Sequence, residues 1–404
     1  MNFNFKFWVR IGLLNLLIVA LFGVIMRYKI GFEFPYFNQK NLQHAHSHFA
    51  FGGWISLMLM VLMLFSVKEK VNQVKLDSFK SILFANLIAA YGMLISFAIQ
   101  GYAFFSITFS TLSIIFSFWF CYRFYALSKD CRSLPGQKWM NFALFFNIIS
   151  SLGTLSLSYM MASKQIEQHT YLASVYWYLH FQYNGWFFFA CTGLFVNYLH
   201  SKSIILSNEL KAFNLFTWAC IPAYGLSVLW LNIPIWIYIL IVLAAMAQFY
   251  GLLVFLKELI DIKFWNSLHF NFVSRILLLC IALAIIFKIT LQVGSTIPAI
   301  SKFAFGFRPI VIAYLHLVLL AFTSVFLIAY AYFNHLIGDT TKTKIGIITF
   351  VIGILLNELI LAIQGVFSIS YTMVPLANEM LFVIALVMFT GLFFLNFSFL
   401  KQKN

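Results

Sequence analysis

The sequence predicts an all-α, polytopic membrane protein of about twelve transmembrane helices in three pseudosymmetric four-helix groups, and three observations carry that expectation. Hydrophobic residues make up 63% of its 404 positions and charged ones 9%, too much apolar surface for one water-soluble core. Runs of about 20 apolar residues, the length that spans a hydrocarbon core of about 30 Å, recur between short polar breaks. The basic residues sit almost wholly in those breaks, and they alternate in density.

The runs cover roughly 8–27, 44–67, 81–100, 105–127, 139–162, 171–199, 212–231, 233–256, 271–293, 309–333, 344–367 and 378–400. The first has a basic lead-in like a signal peptide but no small-residue cleavage site, and more spans follow, so it is expected to stay as a helix. Placing the N-terminus and every second loop on one side gives that side 19 of the 26 Lys and Arg, with Lys288 left inside a span. This bias puts both termini in the cytoplasm and, in a bacterium, the chain in the cytoplasmic (inner) membrane. The net charge of +15 therefore reports topology. Without a basic patch interleaved with exposed aromatics, nucleic acid is excluded as a partner and membrane lipid is expected. Cys121, Cys131, Cys191, Cys220 and Cys280 have unrelated spacings that suggest neither a disulfide framework nor a zinc site.

No stretch resembles a soluble domain or a low-complexity tail, so a single membrane domain, 1–404, is expected. Within it three segments align: His48 to Trp54 (HFAFGGW), His180 to Trp186 (HFQYNGW) and His316 to Phe322 (HLVLLAF). They lie almost one third of the chain apart, in spans two, six and ten. That spacing implies four-helix repeats of approximately 1–135, 136–265 and 266–404. All three spans start on the side opposite the cytoplasm, so His48, His180 and His316 fall at comparable depth in the outer half of the bilayer. A polar ring in hydrocarbon needs a partner, either a hydrogen bond to a neighbouring helix or a metal.

Span two opens with Gln43-His44-Ala45-His46-Ser47-His48. Residues two apart on a helix are separated by about 200°, so His46 and His48 point to nearly opposite faces, whereas His44 and His48 share one. One helix can then serve a flat macrocycle on each side through an imidazole from each face. Gly52 and Gly53 permit close approach of a porphyrin or a backbone. Two other readings stand beside this one: His44 solvated at the membrane interface, and a copper or zinc site built from His44 with His48, or using His180 and His316.

The segment His46-Ser47-His48-Phe49-Ala50-Phe51-Gly52 resembles the His-x-His segment of heme-copper oxidase catalytic subunits, particularly the branch of C-family cytochrome oxidases and nitric oxide reductases. Trp177-Tyr178-Leu179-His180 resembles that branch's segment with a copper-ligating histidine. The resemblance implies twelve core helices with threefold pseudosymmetry. It implies one or two hemes of b type, with His48 as axial ligand of a low-spin heme, His180 or His316 opposite, and His46 on a second, five-coordinate heme. A quinol or cytochrome donor and further respiratory subunits are the partners it implies. Two departures stand out. The triple histidine is on span two rather than ten, and Lys211–Leu231 has no adjacent histidine pair, so a full copper center is not implied and copper stays open.

Glu358 and Lys288 are further ionisable groups inside spans, open to a neutralising pair or a proton relay. Arg308, before Pro309 at the outer mouth of span ten, suits a heme propionate or an interfacial anchor. The expected function is electron transfer or diatomic-gas binding by a membrane heme protein. Oxygen or nitric oxide reduction, a proton-coupled twelve-helix transporter, and a heme- or copper-handling factor are the alternatives; no catalytic residue is assigned.

Overall fold

The computed structural model describes residues 2–268 and 270–398, without the side chains at 266, 267 and 302–305. Lys401, Lys403 and the last residues of span twelve lie outside the described residues, as does the side chain of Lys302. No strand occurs among the described residues. The principal helices, in chain order, are α1 (Phe5–Gly31), α2 (Gln39–Ser66), α3 (Gln73–Gln100), α4 (Phe104–Cys131), α5 (Gln137–Ser163), α6 (168–201), α7 (Glu209–Cys220), α8 (Ile235–Asp261), α9 (Phe272–Gly294), α10 (Arg308–Phe333), α11 (Thr341–Ile369) and α12 (Ala377–Ser398). Ten of them are long and apolar enough to cross a membrane; α6 and α7 are outside that set. The chain is an all-α integral membrane protein.

The two exceptions have separate causes. Helix α6, interrupted by a π-helical segment as α2 and α10 are, differs from them in carrying the buried polar side chains His180, Gln182, Asn184 and Asn197, which dilute its apolar character. Helix α7 stops at Cys220, and Pro222 opens a 3₁₀ segment, Pro222–Val228. Proline has no N–H to continue the ladder, so the span expected over 212–231 is α-helical only to Cys220.

The chain divides into two compact units: Met1–Cys131 with Phe272–Cys280 and Thr323–Asn404, and Arg132–Asn271 with Ile281–Phe322. In the first, α2 is the core helix. Leu57 through Leu64 are all buried, so this stretch is packed against protein on every side. Helices α11 and α12 meet at glycine: a Cβ on Gly346 would lie 2.7 Å from the Leu395 nitrogen, and one on Gly391 2.6 Å from that of Phe350. Small residues let the two backbones close, the usual basis of helix contact in lipid. Asn396 Nδ2 donates to the Leu13 carbonyl at 3.1 Å and ties α12 to α1.

In the second unit α5 lies along α6. Gly136 N–H donates to Asn197 Oδ1 at 2.8 Å, and a Cβ on Gly153 would meet Tyr178 N at 2.9 Å. The buried Glu209 carboxylate accepts from the Trp139 indole and pairs with Lys138 at 2.5 Å, so it is compensated on both oxygens. Ala219, Ala223, Leu226, Ile241, Ala244 and Ala245 form the apolar contact between α7, its 3₁₀ extension and α8. The five cysteines are buried thiols.

Candidate functional site

Each of the three aligned histidines stands at the entrance to a π-helical stretch: Ala50–Ser56 follows His48, Phe181–Phe187 follows His180, and Leu317–Ser324 follows His316. Extended π-helix is rare, and its insertions gather at functional sites. A widened turn displaces carbonyls from their own ladder, and side chains take them up. Asn15 Nδ2 donates to the Gly53 carbonyl at 2.6 Å and Asn86 Nδ2 to that of Gly52 at 3.1 Å; Tyr91 in turn donates to Asn15 Oδ1 at 2.7 Å. The close approach expected at Gly52 and Gly53 is thus made by buried asparagines of α1 and α3. Trp54 Nε1 donates to Ser324 Oγ at 2.8 Å and joins two of the π stretches.

The facial separation on α2 is as the spacing implies. His46 faces α1, where its Nδ1 bonds the Val19 carbonyl at 3.0 Å. A carbonyl only accepts, so the proton of the neutral ring is on Nδ1 and the lone pair is on Nε2. Gly23 lies beside this ring, with its Cβ position 3.7 Å from His46 Cε1. His44 and His48 face the other way, against Phe97 and Tyr102. His48 stacks on Phe97 at 4.3 Å and its Nε2 meets the Tyr102 hydroxyl at 3.2 Å, while the His44 ring packs edge-on to Tyr102 at 4.7 Å. Tyr102 arrives there because Gly101 ends α3 with φ of 65°, a conformation glycine adopts without strain, next to Asn41. His44 is half-buried and its Nε2 is enclosed without a hydrogen-bond partner.

In the second unit His180 is 1% exposed and both ring nitrogens are engaged. Nε2–H donates to the Cys220 carbonyl at 2.9 Å, and Nδ1 accepts from Asn184 Nδ2 at 3.0 Å. The Cys220 carbonyl is available because the helix breaks there: Tyr224 N–H bonds Ile221 in 3₁₀ fashion. Asn184 Oδ1 is buried without a partner. Lys288, 2% exposed, lies within electrostatic reach of His180 and Cys220, with its ammonium 5.4 Å above the Phe188 ring and 3.3 Å from Gln292 Oε1. On α10, His316 Nδ1 bonds the Ile312 carbonyl at 2.9 Å, which again puts the proton on Nδ1 and the lone pair on Nε2.

Glu358 Oε1 accepts from Asn357 Nδ2 at 3.2 Å. The hydrogen-bond partner of each of these two groups, Gln292 for Lys288 and Asn357 for Glu358, is a neutral amide. Arg308 opens α10 directly before Pro309, at the helix mouth expected for it. Of the groups that orient these histidines, Asn184 had a signal in its i, i+4 spacing from His180, and Cys220 had one in Pro222 two residues on. The Val19 and Ile312 carbonyls had none, since every residue offers one.

Among the described residues no three His, Cys, Asp or Glu side chains converge as a metal-holding group. Fold and site together define an integral membrane protein with histidines placed at π-helical interruptions. No protein-family model matches the sequence, and no curated protein is significantly similar to it.

Proposed function

We propose that this protein carries heme in the membrane and uses it for electron transfer or diatomic-gas binding. The observation that carries the reading is the anchoring of His46 and His316. Each gives its Nδ1–H to a main-chain carbonyl and so turns Nε2 into the ligating nitrogen, the arrangement that fixes ring orientation and raises basicity in metal-bound histidines. The donor set fits an iron porphyrin, and the π-helical entrances add support. His48 fits less well, because Nε2 would have to give up Tyr102. His180 fits least, because both nitrogens are satisfied by protein. His46 in the first unit, and separately His316 in the second, are the histidines whose Nδ1 anchoring best suits them to hold a heme iron.

Heme held by imidazole supplies one-electron chemistry, and an open axial position supplies gas binding. The chain's own part is to hold and orient the ring: the Val19 carbonyl keeps the proton on His46 Nδ1, and Gly23 leaves space at the ring edge. A quinol or a cytochrome is the donor in this reading. A second reading, copper or zinc handling, draws on the enclosed Nε2 of His44, one helical turn from His48.

Purification in mild detergent after heme-replete expression, followed by reduced-minus-oxidised and carbon-monoxide difference spectra with pyridine hemochrome quantitation, tests the proposal. Sharp low-spin bands lost in His46→Ala or His316→Ala support it. A colourless protein overturns it, and stoichiometric copper or zinc lost in His44→Ala would put the second reading in its place.

A further inference from the structure

Along α7 and α8 a groove of about 710 Å³ opens on the side of the second unit. Its construction follows from residue size. Ala219, Ala244 and Ala247 line its length, while Leu215, Trp218 and Leu240 border it; Trp218 is 80% exposed. These positions recur every three to four residues on α7, so one face of that helix is given over to the groove. Towards the start of α7 the lining becomes polar, with Ser207, Asn208, Lys211 and Asn214. The groove is thus apolar along most of its length and cationic at one end.

The charge at that end is not neutralised from within. Lys211 donates to the phenol of Tyr250 at 2.7 Å, and its ammonium lies 4.8 Å from that ring, both neutral contacts. No carboxylate lines the groove. Glu209 is bound to Lys138 and Trp139, and Glu258 accepts from the Asn208 main-chain N–H. A lysine held by tyrosine at the end of an apolar trench has the composition of a membrane–water boundary, where anionic headgroups meet acyl chains.

We propose that this groove binds one anionic phospholipid of the leaflet at the Lys211 end, its phosphate at Lys211 with Ser207 and Asn214, and an acyl chain along the alanine floor beside Trp218. The site is independent of the heme reading. It also touches the helix break: Ala219 and Pro222, both in the lining, flank the Cys220 whose carbonyl holds His180.

The test uses the full chain, delipidated in mild detergent and titrated separately with phosphatidylglycerol and phosphatidylcholine, with bound lipid per chain counted by native mass spectrometry. One phosphatidylglycerol is expected to bind about five- to tenfold more tightly than phosphatidylcholine, the preference a single well-placed lysine confers. Lys211→Gln removes that preference, Lys211→Arg keeps it and so separates charge from folding, and Ala247→Phe fills the groove and loses both lipids. Lys202→Gln, outside the lining, leaves binding intact. Equal binding of the two lipids, a preference that survives Lys211→Gln, a retained quinone, or a dimer mass that vanishes in Ala247→Phe would each overturn the proposal.

Discussion

The surroundings of His46 and His180 invite comparison, because the two residues occupy closely related places, each on a helix about to enter a π-helical stretch, and yet differ in what reaches them. His46 Nδ1 is anchored on a carbonyl of α1, which puts the proton on that nitrogen and the lone pair on Nε2. His180 is held between the Cys220 carbonyl and the Asn184 amide, so protein groups meet both nitrogens. The same local interruption of a helix therefore supports two roles. At His46 the bond to α1 fixes which nitrogen carries the proton, the feature on which the proposed heme ligation rests; at His180 one of two bonds fixes α6 to α7.

The strongest way to break this comparison is to remove each imidazole in turn. His46→Ala should lower heme content by about tenfold or more, since the loss reaches the ligand as well as its support. His180→Ala should leave heme content within about twofold and show its effect in stability instead, because the Cys220 carbonyl loses its donor; about 1–3 kcal/mol is expected for a buried polar group left unsatisfied. Hemochrome quantitation and thermal unfolding in detergent read the two effects. Loss of heme in His180→Ala with retention in His46→Ala would invert the assignment.

A smaller effect sharpens the contrast. Asn184→Leu should release His180 Nδ1 at a cost of about 1–2 kcal/mol, and the ring should remain in the Nε2–H tautomer, visible in the imidazole ¹⁵N shifts. Trp54→Phe should cost about 1 kcal/mol, because Ser324 loses its indole donor, both residues lying in the first unit.

The smallest difference lies where the two helices begin. Helix α2 is capped by the neutral amide of Asn38, whose Oδ1 accepts from the N–H groups of Lys40 and Asn41. Helix α6 is capped by the Glu167 carboxylate, held down to a pKa of about 2 by the Thr170 hydroxyl and by the main-chain N–H groups of Thr170 and His169. A depressed carboxylate contributes fully above its ordinary value of 4.5 and loses that contribution as the pH falls towards about 2. Acid should therefore fray the start of α6 and leave the start of α2 intact. Amide exchange at 169–172 between pH 5 and 2, compared with Glu167→Gln, measures it; a variant as acid-sensitive as the parent would remove Glu167 as the cause.

Much of the molecule was legible before folding was considered. The apolar run over 44–67 announced a spanning helix, and the spacing of His44, His46 and His48 announced two opposed faces. The matched histidine segments also marked the places where the helices turn π-helical, although nothing in HFAFGGW, HFQYNGW or HLVLLAF names that geometry. The weaker expectations fell on α6 and α7. There, polar residues within a span and Pro222 in the middle of an apolar run required knowledge of what they would face.

By itself the sequence determined the all-α membrane class, the approximate position of the ten long apolar helices along the chain, and the clustering of histidines on one helix, because hydrophobic run length and helical period are local properties. Only the tertiary structure decided which nitrogen of each histidine is engaged. Those partners are main-chain carbonyls of Val19, Ile312 and Cys220, and a carbonyl carries no side-chain signature. What selects Val19 is the packing of one helix against another and what frees Cys220 is a helix break, whereas Ile312, one turn before His316 on the same helix, is chosen by the ring's own orientation.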